Sequence, residues 1–176
     1  MIEELYVEQA TPRVRGEIIF FDFLGNEIYH VRGSFFPMPQ KCCAGALPLV
    51  PKKYELIDDN EQIVVEILRT SSLLTPEFKV TDLITGVEIC KTRKKSRIMQ
   101  ATVVITTAQG NYPINGSIWH HEFDILDEQG RKIISKQKET IGWGDTYKIT
   151  IDTELINMHI AAGIILAVDC TYHTGN

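Results

Sequence analysis

The segment Ile160-Ala-Ala-Gly-Ile-Ile-Leu-Ala-Val168 is apolar at every position. A helix with no polar side has to be buried on every side. The run is far shorter than the roughly 20 apolar residues that cross a bilayer. The sequence before it reads as strands. A wholly buried helix in a β-rich chain needs a sheet curved or closed around it. The helix is expected over about residues 153–169, starting near Asp152-Thr153-Glu154, where Asp or Thr can cap the first N–H groups. Ile156, Ile160, Ile164 and Val168 form one stripe, and Leu155, Ala162 and Leu166 cover other faces. Asn157 and His159 interrupt the apolar surface, and His159 is expected as a hydrogen-bonded buried imidazole. Ala161, Ala162 and Gly163 are small, which lets a barrel wall come close to the helix backbone.

A unit recurs along the chain: a β-rich run, an Asp, a turn and a second β-rich run. The copies are Ile18–Ile28 around Asp22 and Gly25, Tyr54–Ile63 around Asp58 and Asn60, Phe78–Ile89 around Asp82 and Gly86, and Phe123–Ile133 around Asp127 and Gly130. Alternating apolar and polar residues suit a strand with one buried face. The Asp side chain can accept hydrogen bonds from the turn backbone, and Gly or Asn supplies a positive φ. Each copy is therefore a hairpin, and its Asp a turn-capping residue rather than a catalytic one. A fifth hairpin is expected from Ala101 through Asn111 to Trp119, and Thr146–Ile151 reads as a last strand. With no βαβ signal, the order favours an antiparallel meander. The expected fold is mainly β: one domain over residues 1–176, a closed antiparallel barrel of about 12 strands around a central C-terminal helix.

A chain of 176 residues is long enough to build one core without staples. The formal charge of -5 argues against a nucleic-acid partner. Cys42, Cys43, Cys90 and Cys170 show neither zinc spacing nor a C-x-x-C pair, so reduced thiols are expected. The acidic start Met1-Ile-Glu-Glu has no signal-peptide character. A cytoplasmic location, possible also at the periphery of a membrane, is the expectation, with no transmembrane segment. Residues 35–50, rich in Pro and Phe, break both strand and helix patterns and are expected as a long loop or a distorted strand pair.

The repeated strand-Asp-turn-Gly-strand units, followed by Trp143-Gly144-Asp145-Thr146-Tyr147, a strand and an apolar helix ending in Val168-Asp169, resemble the LURP-one-related family. That family includes YxjI-like bacterial proteins and belongs to the tubby C-terminal-like superfamily. The resemblance runs from about Arg15 to Asp169 and is most specific at Trp143–Tyr147 and the helix. It implies a twelve-stranded barrel threaded by the helix, and no established enzymatic chemistry. It also implies kinship with tubby proteins, which bind phosphatidylinositol bisphosphate, and with phospholipid scramblases, which act on membranes. The Cys42-Cys43 loop and the acidic N-terminus depart from the family pattern.

The candidate ligand-binding residues are two basic rows. Lys91, Arg93, Lys95 and Arg97 alternate along one strand and so share a face. Lys132, Lys136 and Lys138 form the second row. Such rows can grip phosphate oxygens, Arg by its fork and Lys as a point charge. The bland alternative is a solvated barrel exterior. His120 and His121 point to opposite faces and make a poor metal pair, and Gly142 and Gly144 beside Trp143 suit a bend better than a phosphate loop. No nucleophile-base order or catalytic carboxylate pair appears. The expectation is a non-enzymatic barrel, with no cofactor and no metal, that binds anionic phospholipid headgroups or another phosphorylated ligand through its outer basic strands. One alternative is a protein-interaction module using Phe35, Phe36, Met38 and Leu47; another is an uncharacterised enzyme.

Overall fold

The computed structural model describes residues 1–8, 18–34, 53–70, 77–97, 100–108, 110–117, 122–139 and 146–173. Thirteen strands and one helix follow in chain order. The first six strands are β1 (Ile2–Glu8), β2 (Ile18–Phe21), β3 (Glu27–Ser34), β4 (Lys53–Asp58), β5 (Ile63–Thr70) and β6 (Glu77–Asp82). Next come β7 (Val87–Arg97), β8 (Gln100–Thr107), β9 (Asn111–Tyr112) and β10 (Ile114–Ser117). The chain closes with β11 (Glu122–Leu126), β12 (Lys132–Lys138), β13 (Thr146–Asp152) and α1 (Met158–His173). All pair antiparallel in one sheet ordered β10-β11-β12-β13-β1-β2-β3-β4-β5-β6-β7-β8-β9. The two edge strands, β9 and β10, are consecutive and separated only by Pro113. Proline has no N–H for a ladder. β9 pairs with β8 and β10 with β11, so one strand bent at Pro113 reaches both sides of the seam. The result is the expected mostly β, nearly closed barrel.

The four Asp hairpins are one solution repeated. Asp22 Oδ1 accepts the N–H groups of Leu24 (2.8 Å) and Asn26 (2.9 Å). Asp58 does the same for Asn60 and Gln62, and Asp127 for Gln129 and Arg131. Asp82, in the longer turn, accepts from Ile84 N–H and the Thr85 hydroxyl. The positive-φ residue lies three positions after the Asp: Gly25, Glu61 and Gly130. The expectation of Asn60 in that role was one residue off, because the turn geometry counts from the Asp and assigns the position to Glu61 at φ 60°.

Each of these hairpins also shifts register by one residue just inside its turn. The extra residue on the second strand is Ile28, Val64, Ile89 or Ile133. A bulge of this kind reverses which residues face inward. All four extra residues belong to or pack on the core. This is why Ile133 and Ile134 are both buried.

The helix fills the barrel. Ala161 to Val168 are all buried, with Ile164 and Val168 at 0 % exposure. It packs most closely on β5 to β8. Burying each large aliphatic contributes about 1.5–3 kcal/mol. The helix begins at Met158, not near residue 153. Asp152 spends its groups on a turn, its carbonyl accepting from Leu155 and Ile156. Asn157 then stands at the N-cap position, its carbonyl taking the first helical bond from Ala161 N–H at 3.0 Å. At Gly163 a Cβ would lie 2.8 Å from Val65 Cγ1, so the wall touches the helix backbone there.

Two mutations check this packing. Ile164→Asp is expected to abolish the soluble fold, because it buries an unpaired carboxylate; an unchanged melting temperature would contradict the helix placement. Gly163→Ala is expected to destabilise by about 1–3 kcal/mol despite alanine's better helix propensity. Denaturant titration of Gly163→Ala in the Val65→Ala background should show much of that loss removed.

Candidate functional site: two ends of opposite charge

The meander brings all four Asp turns to one end of the barrel, together with the β13-to-helix connection. That rim, residues 22–27, 58–62, 82–88, 127–131 and 152–157, carries eleven carboxylates and one arginine, Arg131. The reverse holds elsewhere. Residues 89–121 carry Lys91, Arg93, Lys94, Lys95 and Arg97 and no carboxylate at all. These five cations belong to β7, which runs away from the rim to its hairpin with β8. β7 is therefore a locally basic strand in an acidic chain, although Glu8, Glu77, Glu122 and Glu139 stand toward the same end of the barrel.

The structure divides the expected basic residues. Cys90 and Thr92 are buried while Lys91 and Arg93 lie on the outer face, as alternation requires. Lys91 is not isolated: its Nζ lies 3.7 Å from Glu88 and 4.0 Å from Glu77. Arg93 is exposed and makes no ion pair among the described residues. The side chains of Lys95 and Arg97 lie outside the described residues. The second row does not exist as a row, and Lys136 is corrected from an outer to an inner position. The bulge at Ile133 leaves Lys132 outside, where it pairs with Asp124 at 2.8 Å, and turns Lys136 inward, while Lys138 at the strand end is exposed. Lys136 is 0 % exposed.

Inside, Lys136 Nζ lies 2.5 Å from Asp169 Oδ2 on the helix. It also lies 4.8 Å from the Tyr147 ring centre and 5.9 Å from that of Phe123. A cation there gains from the ring faces and from the negative C-terminal end of the helix. Nearby, the Thr92 and Thr171 hydroxyls share a 2.6 Å hydrogen bond, and Thr171 donates to Ala167 carbonyl. These polar groups hold the helix to β7 and β12 and set its depth. They read as a structural lock.

A concavity opens at the acidic rim, where the chain turns into the barrel. It has a volume of about 520 Å³. Leu155, Ile156, Ile160 and Ile164 line its helix side; Val87, Ile89, Tyr112 and Ile133 line the wall. Glu88, Asp127, Glu128 and Glu154 stand among them. Burial, then the Glu128 and Asp127 charges, hold the Tyr112 phenol above its ordinary pKa. Sequence reasoning missed this groove because its residues come from five separate segments. A second hollow of about 380 Å³ lies over β10 to β12, beside Asn115, Asp124 and Gln137.

Other expected residues are settled as follows. His159 is not hydrogen-bonded as expected. Its side chain is 16 % exposed, and Nε2 stands 3.5 Å from Asp82 Oδ1, in electrostatic reach but without a hydrogen bond among the described residues. Cys90 is a free, buried thiol, pushed up to about 12 by burial and then by Glu88, and is therefore unreactive. Cys170 is half-buried, a thiol hydrogen-bonded with the Tyr54 side chain. Cys42, Cys43, His120, His121, Gly142, Trp143, Gly144 and the 35–50 segment with Phe35, Phe36, Met38 and Leu47 lie outside the described residues. Among the described residues no three His, Cys, Asp or Glu side chains are grouped to hold a metal. No described helix is long and apolar enough to cross a membrane.

These features define a helix-plugged barrel built from repeated Asp-turn hairpins. The family model described as LURP-one-related matches residues 3–169, and the chain belongs to that family. An X-ray structure of the Arabidopsis thaliana protein AT5G01750 is similar, with a TM-score of 0.58 at 13% identity, over 96% of this chain and 91% of the plant one. That likeness speaks for the fold. None of the curated proteins is similar enough in sequence to count as a relative.

Two measurements test the electrostatics. Lys136→Ala is expected to cost about 3–5 kcal/mol by stranding Asp169, whereas the apolar pair Lys136→Met with Asp169→Leu should come within about 1–2 kcal/mol of wild type in urea titration. At Asp82, burial raises the carboxyl pKa, but the Thr85 hydroxyl, the Ile84 N–H and His159 outweigh it and leave it lowered. A lowered folded-state value means stability present above the unfolded value, about 3.9, and lost as pH falls through the folded one. Asp82→Asn should therefore flatten the fall in melting temperature below about pH 4, relative to wild type.

Proposed function

We propose that the protein is a non-enzymatic binding module whose basic end engages an anionic, phosphorylated surface, with phospholipid headgroups as the ligand class. The observation that supports this is the charge segregation: five cations without one carboxylate over residues 89–121, on the hairpin directed away from the acidic rim. Each Lys or Arg close to an anionic membrane contributes about 1 kcal/mol, and the contribution is salt-sensitive. Relative to the expectation from sequence, the surface keeps Lys91, Arg93, Lys95 and Arg97 of the first row. Lys132 is engaged by Asp124, and Lys136 lies in the interior. The resemblance to the LURP-one-related family implies kinship with tubby proteins and scramblases, which work at phosphoinositides and membranes, and that kinship agrees with this ligand class. A cytoplasmic, membrane-peripheral location goes with it. The non-enzymatic reading rests on the carboxylates of Asp22, Asp58, Asp82 and Asp127, which are occupied by their own turn backbones.

Co-sedimentation tests the proposal with phosphatidylcholine vesicles, with and without phosphatidylinositol bisphosphate, at low and high salt. Binding should need the anionic lipid and weaken with salt. The combined Lys91, Arg93, Lys95 and Arg97→Gln variant should lose about tenfold or more. Equal partition onto neutral vesicles, or an unaffected variant, would sink it.

A further inference from the structure

The acidic rim offers a second surface that the anionic-ligand reading leaves unused. Eleven carboxylates make it repel an anionic membrane. Yet apolar side chains crowd it: Phe23 is 75 % exposed, Leu24 70 %, Ile84 64 % and Val87 55 %. Contiguous exposed apolar side chains rimmed by polar residues mark interaction sites. Their charge surroundings rule against a lipid anchor and select a partner that is apolar and positive together.

The entry groove gives that partner a place. We infer that the groove between Val87, Ile133, Leu155 and Ile156 binds a basic amphipathic peptide segment of a protein partner. An apolar side chain of the segment enters the groove, and a Lys or Arg of it meets Glu128; Asp127 and Glu154 add negative field while paired with Arg131 and the N-terminal amino group. A volume of about 520 Å³ is in the range of small-ligand pockets, ample for one or two large side chains. Leu155, 38 % exposed, stands at the lip and meets the incoming side chain first. Glu128 is exposed and forms no ion pair among the described residues, so its charge is available to the segment. The Leu83-Ile84 turn extends the apolar ground beyond the groove, which favours an extended segment over a compact ligand. The peptide surface and the proposed lipid surface lie at opposite ends of the barrel. A molecule held on a membrane by its basic end therefore presents the groove away from that membrane.

The probe is a labelled synthetic peptide of alternating Lys and Leu, with a Glu-Leu and a Lys-Ser counterpart, titrated by fluorescence anisotropy onto the full chain. The Lys-Leu peptide should bind saturably at one per chain and shift the methyl signals of Ile133, Leu155 and Ile156. The Leu155→Ser, Glu128→Lys double variant should weaken it at least tenfold while keeping the wild-type melting temperature and vesicle binding. The basic-end glutamine variant should bind the peptide as wild type does, so the two surfaces fail or succeed separately. Equal binding of either counterpart, or no loss in the double variant, would overturn the proposal. Self-association abolished by the same double variant would also overturn it, assigning the groove to a second copy of this chain.

Discussion

Everything in this structure depends on enclosing an apolar helix that offers no polar face. Ala161 through Val168 need protein on every side, and a nearly closed antiparallel sheet supplies it. The demand passes back to the strands, each of which has to present an apolar inner face. It also passes to the helix, which needs Gly163 where Val65 leaves no room for a Cβ. Two polar pairs are admitted to the interior beside the helix: Thr92 with Thr171, and Lys136 with Asp169 beneath two aromatic rings.

The repeated hairpin is the device that builds the wall. An Asp gathers the turn's N–H groups, and three residues later the chain takes a positive φ. Just inside the turn, one extra aliphatic residue resets the strand's parity. The same construction puts every Asp at one end, which makes that rim acidic as a by-product of turn chemistry. Function, on the reading proposed above, uses the consequence: the carboxylates gather at the turn rim, and the acid-free β7–β8 hairpin carries the cations.

Much of the fold was legible from local rules. Alternation marked the strands, Asp and Gly marked the turns, and the all-apolar run marked the buried helix. What local rules missed has physical causes. A bulge is a single-residue event, so counting by twos through Ile133 put Lys136 outside when it is inside. Asn60 was chosen for its tolerance of positive φ, but distance from Asp58 decides the position. Asp152 looked like a helix cap, yet its carbonyl closes a turn and passes the cap to Asn157. The charge surface was the least legible part. Whether Lys91 or Lys132 is neutralised depends on Glu77, Glu88 and Asp124 across the sheet, and that requires register. The entry groove required the whole topology.

Native-state amide hydrogen exchange tests the central arrangement most directly. If the helix is enclosed by the barrel, the amides of Ile164 to Val168 can exchange only when the whole sheet opens. Their opening free energy should then equal the global unfolding free energy and that of β5 and β6. Exchange of this segment at a lower free energy than the surrounding strands would mean that it detaches by itself, and would contradict the enclosed helix.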